Sequence, residues 1–273
     1  MKTTLTIATA LVLLLAGCQK PTEVQVTEEA SVDVEDVLDP DASFERAGVD
    51  STALLPREQQ TYAGFFTVTA VRTDLPTETR RSVIARAVVE NKRSIVEHNG
   101  RKMYMGRLLG FVRINNLLMI PRERLLGNVS AGFEYVRELS SFVPGQVFQF
   151  SADSVGLASI EAPDVITADA PTTGQTVQRE RDLSLQWRGT GKVEILVSSF
   201  TPPSRVVPLL RLRPKVNTGR AVVPRRVLRA LPRGVYVFTF VLTRRDERPL
   251  PGRFGGTMLV QASSVHNVMV EVR

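Results

Sequence analysis

In the segment DLSLQWRG, residues 182–189, Leu183, Leu185 and Trp187 fall at every second position, and KVEILVSS, residues 192–199, repeats the pattern with Val193, Ile195 and Val197. A period of two sends alternate side chains to opposite faces of an extended chain, so both runs predict strands with one buried face. GVYVFTFVL, residues 234–242, is rich in the β-branched and aromatic residues that suit a pleated surface. GGTMLVQASSVHNVMVEVR, residues 255–273, predicts a strand pair or one bent strand. Regularly spaced strands with turn residues between them predict a β-sandwich over residues 171–273.

A second β-rich module is expected over residues 57–170. GFFTVTAV, residues 64–71, predicts a strand. Asn99-Gly100 stands between two short strand-like runs, and Asn-Gly suits a type I′ hairpin because both of its central positions need positive φ. Asn115-Asn116 predicts another reversal, and the alternation of Val147 with Gln149 and of Phe148 with Phe150 predicts a further strand. Residues 77–91 fit either a helix face or a strand through Val83, Ile84, Ala87 and Val88. DAPTTG, residues 169–174, breaks the hydrophobic pattern and sets the expected boundary between the modules. The fold class is therefore mainly β, with two β-sandwich-like domains.

The segment 18–56 is different in kind. From Gln19 to Pro56 it holds ten acidic residues against Lys20 and Arg46, a net of −8, with Phe44 as its aromatic residue. Such a composition buries too little apolar surface to offset chain entropy, which predicts a disordered, self-repelling tether. Alternating valines at 24, 26, 32 and 34 leave room for a short strand that docks elsewhere.

Ahead of the tether, Lys2 and the 13-residue apolar run from Leu5 to Gly17 have the layout of an export signal over residues 1–17. The run is too short for a spanning helix, which needs roughly 20 residues. It ends in Leu15-Ala16-Gly17-Cys18, with Cys18 the one cysteine of the chain. This tetrad resembles the lipobox of bacterial lipoproteins. The resemblance implies cleavage before Cys18, a diacylglycerol on its thiol and a further acyl chain on the new amino terminus. Each buried methylene adds about 0.8 kcal/mol of membrane affinity, and stable anchoring takes more than one chain. With Cys18 acylated no disulfide is available, so the modules must be held by core packing. Gln19 stands where an aspartate signals inner-membrane retention in that family, which implies the outer membrane, on its periplasmic side or at the cell surface.

Trp187 and the segment LPRGVY, Leu231 to Tyr236, resemble the core tryptophan and the tyrosine corner of fibronectin type III and related immunoglobulin-like domains. The resemblance implies a sandwich in which the Tyr236 hydroxyl bonds to backbone a few residues upstream. Because that fold hosts many functions, it implies a module and not an activity.

Residues that carry chemistry are sparse. His98 and His266 have no second histidine or cysteine at metal-ligand spacing, which predicts turn or surface roles and no metal or cofactor. Neither a nucleophile elbow nor a phosphate-binding glycine loop occurs, so no catalytic residue is assigned. Asp153, Glu161, Asp164 and Asp169 lack the compact calcium loop and read as a solvated linker.

Charge is the stronger signal. Residues 171–273 hold eighteen basic and six acidic side chains, a net of +12 within a chain of net +7. Arg211, Arg213, Lys215, Arg220, Arg225, Arg226 and Arg229 lie within this excess. Arginine forks bind phosphates and carboxylates bidentately, so these residues form a candidate anion-binding set. The 29 arginines against 6 lysines equally fit a compositional bias that leaves a solvated surface. Few aromatics interleave the arginines, which argues against nucleic acid. The expected function is a lipid-anchored, non-catalytic binding or scaffolding protein of the cell envelope, with the membrane, an envelope protein, or an anionic glycan or lipid as partner. The alternatives are a docking subunit of an envelope transport or assembly complex and an envelope glycan or peptide hydrolase.

Overall fold

The computed structural model describes residues 23–24, 32–35, 62–201, 205–214 and 217–273. The export signal and Cys18 lie outside the described residues. The acidic segment contributes β1 (Glu23–Val24) and β2 (Val32–Glu35). Next come β3 (Tyr62–Asp74), β4 (Thr79–His98), β5 (Arg101–Gly106), β6 (Val112–Ile114), β7 (Leu117–Leu118), β8 (Ile120–Leu126), β9 (Val129–Leu139), β10 (Val147–Ala152) and β11 (Gly156–Glu161). After them come β12 (Thr167–Ala170), β13 (Thr176–Val177), β14 (Leu183–Arg188), β15 (Val193–Thr201), β16 (Arg205–Pro214) and β17 (Arg220–Val223). A short helix α1 (Arg225–Ala230) precedes β18 (Gly234–Pro249) and β19 (Thr257–Val272).

These strands form a mainly β, sandwich-like fold. A twelve-stranded sheet runs β1-β2-β16-β15-β18-β19-β3-β4-β5-β9-β8, with β13 also paired to β19. Two smaller sheets, β11-β10-β6-β7 and β12-β14-β17, complete the sandwiches. Under the second lies a core of Leu183, Leu185, Trp187, Ile195, Phe238, Phe240 and Val270. Under the first lies a core of Phe66, Ala85, Ala87, Phe148, Phe150, Met258 and Val260. The Phe66 and Phe150 ring centroids are 5.0 Å apart. Small alanines on β4 leave room for these rings, and each buried Phe, Leu or Val contributes roughly 1.5–3 kcal/mol relative to exposure.

The two cores share one long strand, β19. β18 and β19 pair along their whole length, from Gly234 opposite Val272 to Pro249 opposite Thr257. Val268, Val270 and Val272 at one end of β19 belong to the core with Trp187, and Met258, Val260 and Ala262 at the other end to the core with Phe66. The chain passes from one covering sheet to the other between Glu161 and Thr167, a few residues before the segment 169–174.

Local choices follow the side chains. Asn99 (φ 48°) and Gly100 (φ 72°) close the β4–β5 hairpin, and Asn115 (φ 47°) and Asn116 (φ 65°) close β6–β7. Of residues 77–91, open between helix and strand in the sequence, 79–91 fall in β4, because Ala85, Ala87 and Val89 alternate into the core while β3 and β9 flank the strand. The helix among the described residues is instead α1. Gly106 and Gly132 mark a close crossing of β5 and β9, since a Cβ on Gly132 would stand 2.0 Å from the Gly106 carbonyl oxygen. Tyr236 Oη donates to the Pro232 carbonyl at 2.6 Å, the upstream bond expected of the LPRGVY segment. Burial pushes its phenol up to about 12, against the pull of Arg179, so it remains a neutral donor.

Candidate functional site

The basic residues of the second sandwich occupy two places. Arg211 and Arg213 lie on β16, which stands between β15 and β2 in the large sheet. Their guanidinium Nε atoms approach the same oxygen of Glu194 on β15, at 2.9 Å and 3.1 Å. The Arg211 side chain is 16% exposed. Arg211 is therefore built into the sheet face, whereas Arg213 is 47% exposed, and both are held by Glu194.

The acidic segment supplies the other neighbour of β16. Strand β2 pairs antiparallel with it, placing Glu35 opposite Arg211, Val34 opposite Leu212, Asp33 opposite Arg213 and Val32 opposite Pro214. Directly opposed positions of an antiparallel pair share a face. The acidic positions of β2 thus fall on the face of the arginines, and Val34 on the face of Leu212, which is wholly buried. Six residues of the segment expected to be disordered are in fact strand, and the register sets V-D-V-E of β2 antiparallel to R-L-R-P of β16.

The second group surrounds α1. Arg220 opens β17, and Arg225, Arg226 and Arg229 lie on the exposed side of the helix while Val227 and Leu228 face the core. Arg233 is exposed in the turn that follows. The turn before β14 anchors the helix: Asp182 Oδ1 accepts the Arg225 backbone N–H at 2.7 Å, and Glu180 pairs with Arg229. Lys215 lies outside the described residues. The structure thus puts Arg225, Arg226 and Arg229 on one helix, leaves Arg220 at the start of the strand before it, and sets Arg211 and Arg213 on β16. Glu180, Asp182 and Glu194, the partners that hold these arginines, were missed in the sequence, since an acid on the solvent side of a strand or turn looks like any other surface charge.

One of the two histidines takes a different position from the one expected. His266, predicted at a turn or surface, is fully buried near the middle of β19. Its Nδ1 accepts the Ala168 backbone N–H at 2.7 Å, and its Nε2 lies 2.8 Å from Asp74 Oδ2. Because Nδ1 is an acceptor, Nε2 carries the proton and donates it to Asp74. Burial pushes the His266 imidazole below its ordinary value, with Asp74 pulling the other way. Asp74, despite its own desolvation, is held down at about 2 by hydrogen bonds from Arg72, His266 and Thr79. Next along β19, Asn267 donates to Thr73 Oγ1 and accepts from Thr239 Oγ1, while Ser264 Oγ accepts the Ile166 N–H. The network thus fastens the crossing segment 166–168 and strand β3 to the shared sheet. His98 is partly buried at the end of β4, against Gly127.

A second buried ionic group lies in the first sandwich. Glu90 has no exposed side-chain surface, with Arg124 Nη2 at 3.2 Å and Lys92 Nζ at 3.5 Å. Burial pushes its carboxyl up, and the two cations partly offset that. Lys92 Nζ also sits 4.2 Å from the centre of the Tyr104 ring. This triad fastens β4, β5 and β8 and touches none of the arginines discussed above.

The acids between the modules disperse. Glu161 pairs with Arg244 at 2.6 Å, Asp169 with Arg188 at 3.0 Å, and Asp164 with Thr190. Among the described residues no group of three or more histidine, cysteine or acidic side chains is placed to hold a metal ion. No described helix is long and apolar enough to cross a membrane. Compared with protein-family models and with curated proteins, the chain finds no match.

Proposed function

We propose that this chain is a lipid-anchored protein of the cell envelope, held through Cys18 at the outer membrane, whose second sandwich binds anionic envelope components and does not catalyse a reaction. The observation that carries this reading is the exposed Arg225, Arg226 and Arg229 of α1, with exposed Arg220 and Arg233 before and after them in the chain. Arginine forks at such a site suit phosphate or carboxylate groups, whether on lipid headgroups or on acidic polysaccharide. A binding role also accords with His266, both of whose ring nitrogens are engaged inside the protein. A docking subunit of an envelope assembly is the second reading. It is favoured by Leu108, Phe111, Leu117, Leu118 and Leu157, all more than 45% exposed on the first sandwich.

The anion reading is tested with the Cys18→Ala chain, so that no acyl group contributes, on vesicles with and without anionic lipid over a salt series. Binding is expected to anionic vesicles only and to fade as salt shortens the screening length from about 8 Å at physiological ionic strength. Arg225→Glu combined with Arg226→Glu is expected to weaken it by at least about tenfold, since each basic residue near an anionic surface adds roughly 1 kcal/mol. Equal binding to neutral vesicles, or no effect of salt, would return these arginines to an ordinary solvated surface.

A further inference from the structure

Strand β16 is the place where the large sheet of the folded part would end if the acidic segment were absent, because only β2 and β1 lie beyond it. An uncovered strand edge presents unpaired N–H and C=O groups and recruits other extended chains. The two halves of this edge differ. One half contains Pro208, which lacks an N–H to donate and sits at the register shift with β15. The other half, Arg211 to Pro214, is covered by β2.

The cover is slight. β2 has four residues, and 26 residues separate its end at Glu35 from the start of β3 at Tyr62. On its far side β1 puts Glu23 opposite Glu35, and like charges in direct opposition are destabilising. Yet β2 matches β16 position by position, acid against Arg211 and Arg213 and valine against Leu212. It also approaches β17, so it sits where the edges of the two sheets of this sandwich come together.

We infer that the Arg211–Pro214 edge of β16 is a binding site for an extended protein segment that alternates β-branched apolar residues with acidic ones, and that strand Val32–Glu35 is its resident, displaceable occupant. Main-chain hydrogen bonds supply the affinity, as in other cases of strand addition, and the alternation sets the specificity. This site is separate from the arginines of α1 and stands whether or not those bind anions. Displacement of β2 frees the whole tether, so a partner that takes the edge also lengthens the reach of the folded part from its point of attachment.

The test uses the Cys18→Ala chain and a fluorescein-labelled peptide of residues 31–37, SVDVEDV. Val34→Pro in the tether puts a residue without an N–H in the middle of the resident strand and changes no residue of β16. The Val34→Pro chain is expected to bind the peptide about tenfold or more tightly than its parent, since a tethered strand competes at an effective concentration in the millimolar range. A peptide with lysine at both acidic positions corresponding to Asp33 and Glu35 is expected to bind neither chain. Amide exchange of residues 205–214 should be slower in the parent than in Val34→Pro. Equal affinity of the two chains, equal affinity of the two peptides, or no binding to Val34→Pro would overturn the site. A parent dimer that Val34→Pro converts to a monomer would show that the strand is exchanged between copies, and would overturn its role as an occupant in the same chain.

Discussion

Phe240→Ala is expected to lower the stability of the folded part by about 3–5 kcal/mol, the usual cost of truncating a buried phenylalanine. Phe240 is wholly buried, and its ring centre lies 6.1 Å from that of Trp187. A net stability of about 5–15 kcal/mol makes such a loss a large fraction of the whole. Its reach is set by β19, which carries residues of both cores on one unbroken strand and pairs along its length with β18, the strand of Phe240. Denaturant unfolding followed by Trp187 fluorescence and by amide exchange of β3 and β4 should therefore shift together in one transition. Two separated transitions, with only the tryptophan signal displaced, would show that the sandwiches are energetically independent.

Asp74→Ala is the second large effect. It leaves the buried His266 Nε2–H without an acceptor and strips Arg72 and Thr79 of theirs. Leaving buried groups unsatisfied in this way costs about 1–3 kcal/mol, and more where a charge is involved. Asp74→Asn, which keeps one acceptor oxygen, should cost less. The pair also sets an acid sensitivity. His266 lies below its ordinary 6.5 in the folded state, so its contribution is complete above that pH and declines as pH falls, because the unfolded chain takes up a proton first. Asp74, at about 2 against an ordinary 3.8, adds a second decline between those values. Glu90 has the opposite sign, since its raised value makes its contribution fall as pH rises through the folded value. Urea unfolding from pH 7 to pH 2 should show the decline, and in Asp74→Ala the lower step should be absent while the histidine step persists.

Much of the sheet architecture was legible because its signals are local. Leu183, Leu185 and Trp187 in β14, and Val193, Ile195 and Val197 in β15, alternate into a one-sided core. The Asn-Gly and Asn-Asn turns declare themselves by their need for positive φ. What stayed hidden depends on partners far away in the chain. The run Gln261, Ser263, Ser264, His266 and Asn267 looks like a break between two strands, yet β19 continues through it without interruption. Ser264, His266 and Asn267 are satisfied by Ile166, Ala168, Thr73 and Thr239, none of them near in sequence. β4 was ambiguous for a similar reason, since its apolar residues fit two periods until β3 and β9 are placed beside it. The candidate arginines were legible as a charge excess, but that Arg211 and Arg213 are held together by Glu194 needed the register of β15 and β16.

The envelope role depends first on the anchor, and mass spectrometry of the protein extracted from its native membrane addresses that directly. Lipid anchoring predicts a mature chain that begins at Cys18 and carries two or three acyl chains on that residue, and a Cys18→Ala chain that carries none. An uncut leader followed by an unmodified Cys18 would contradict it.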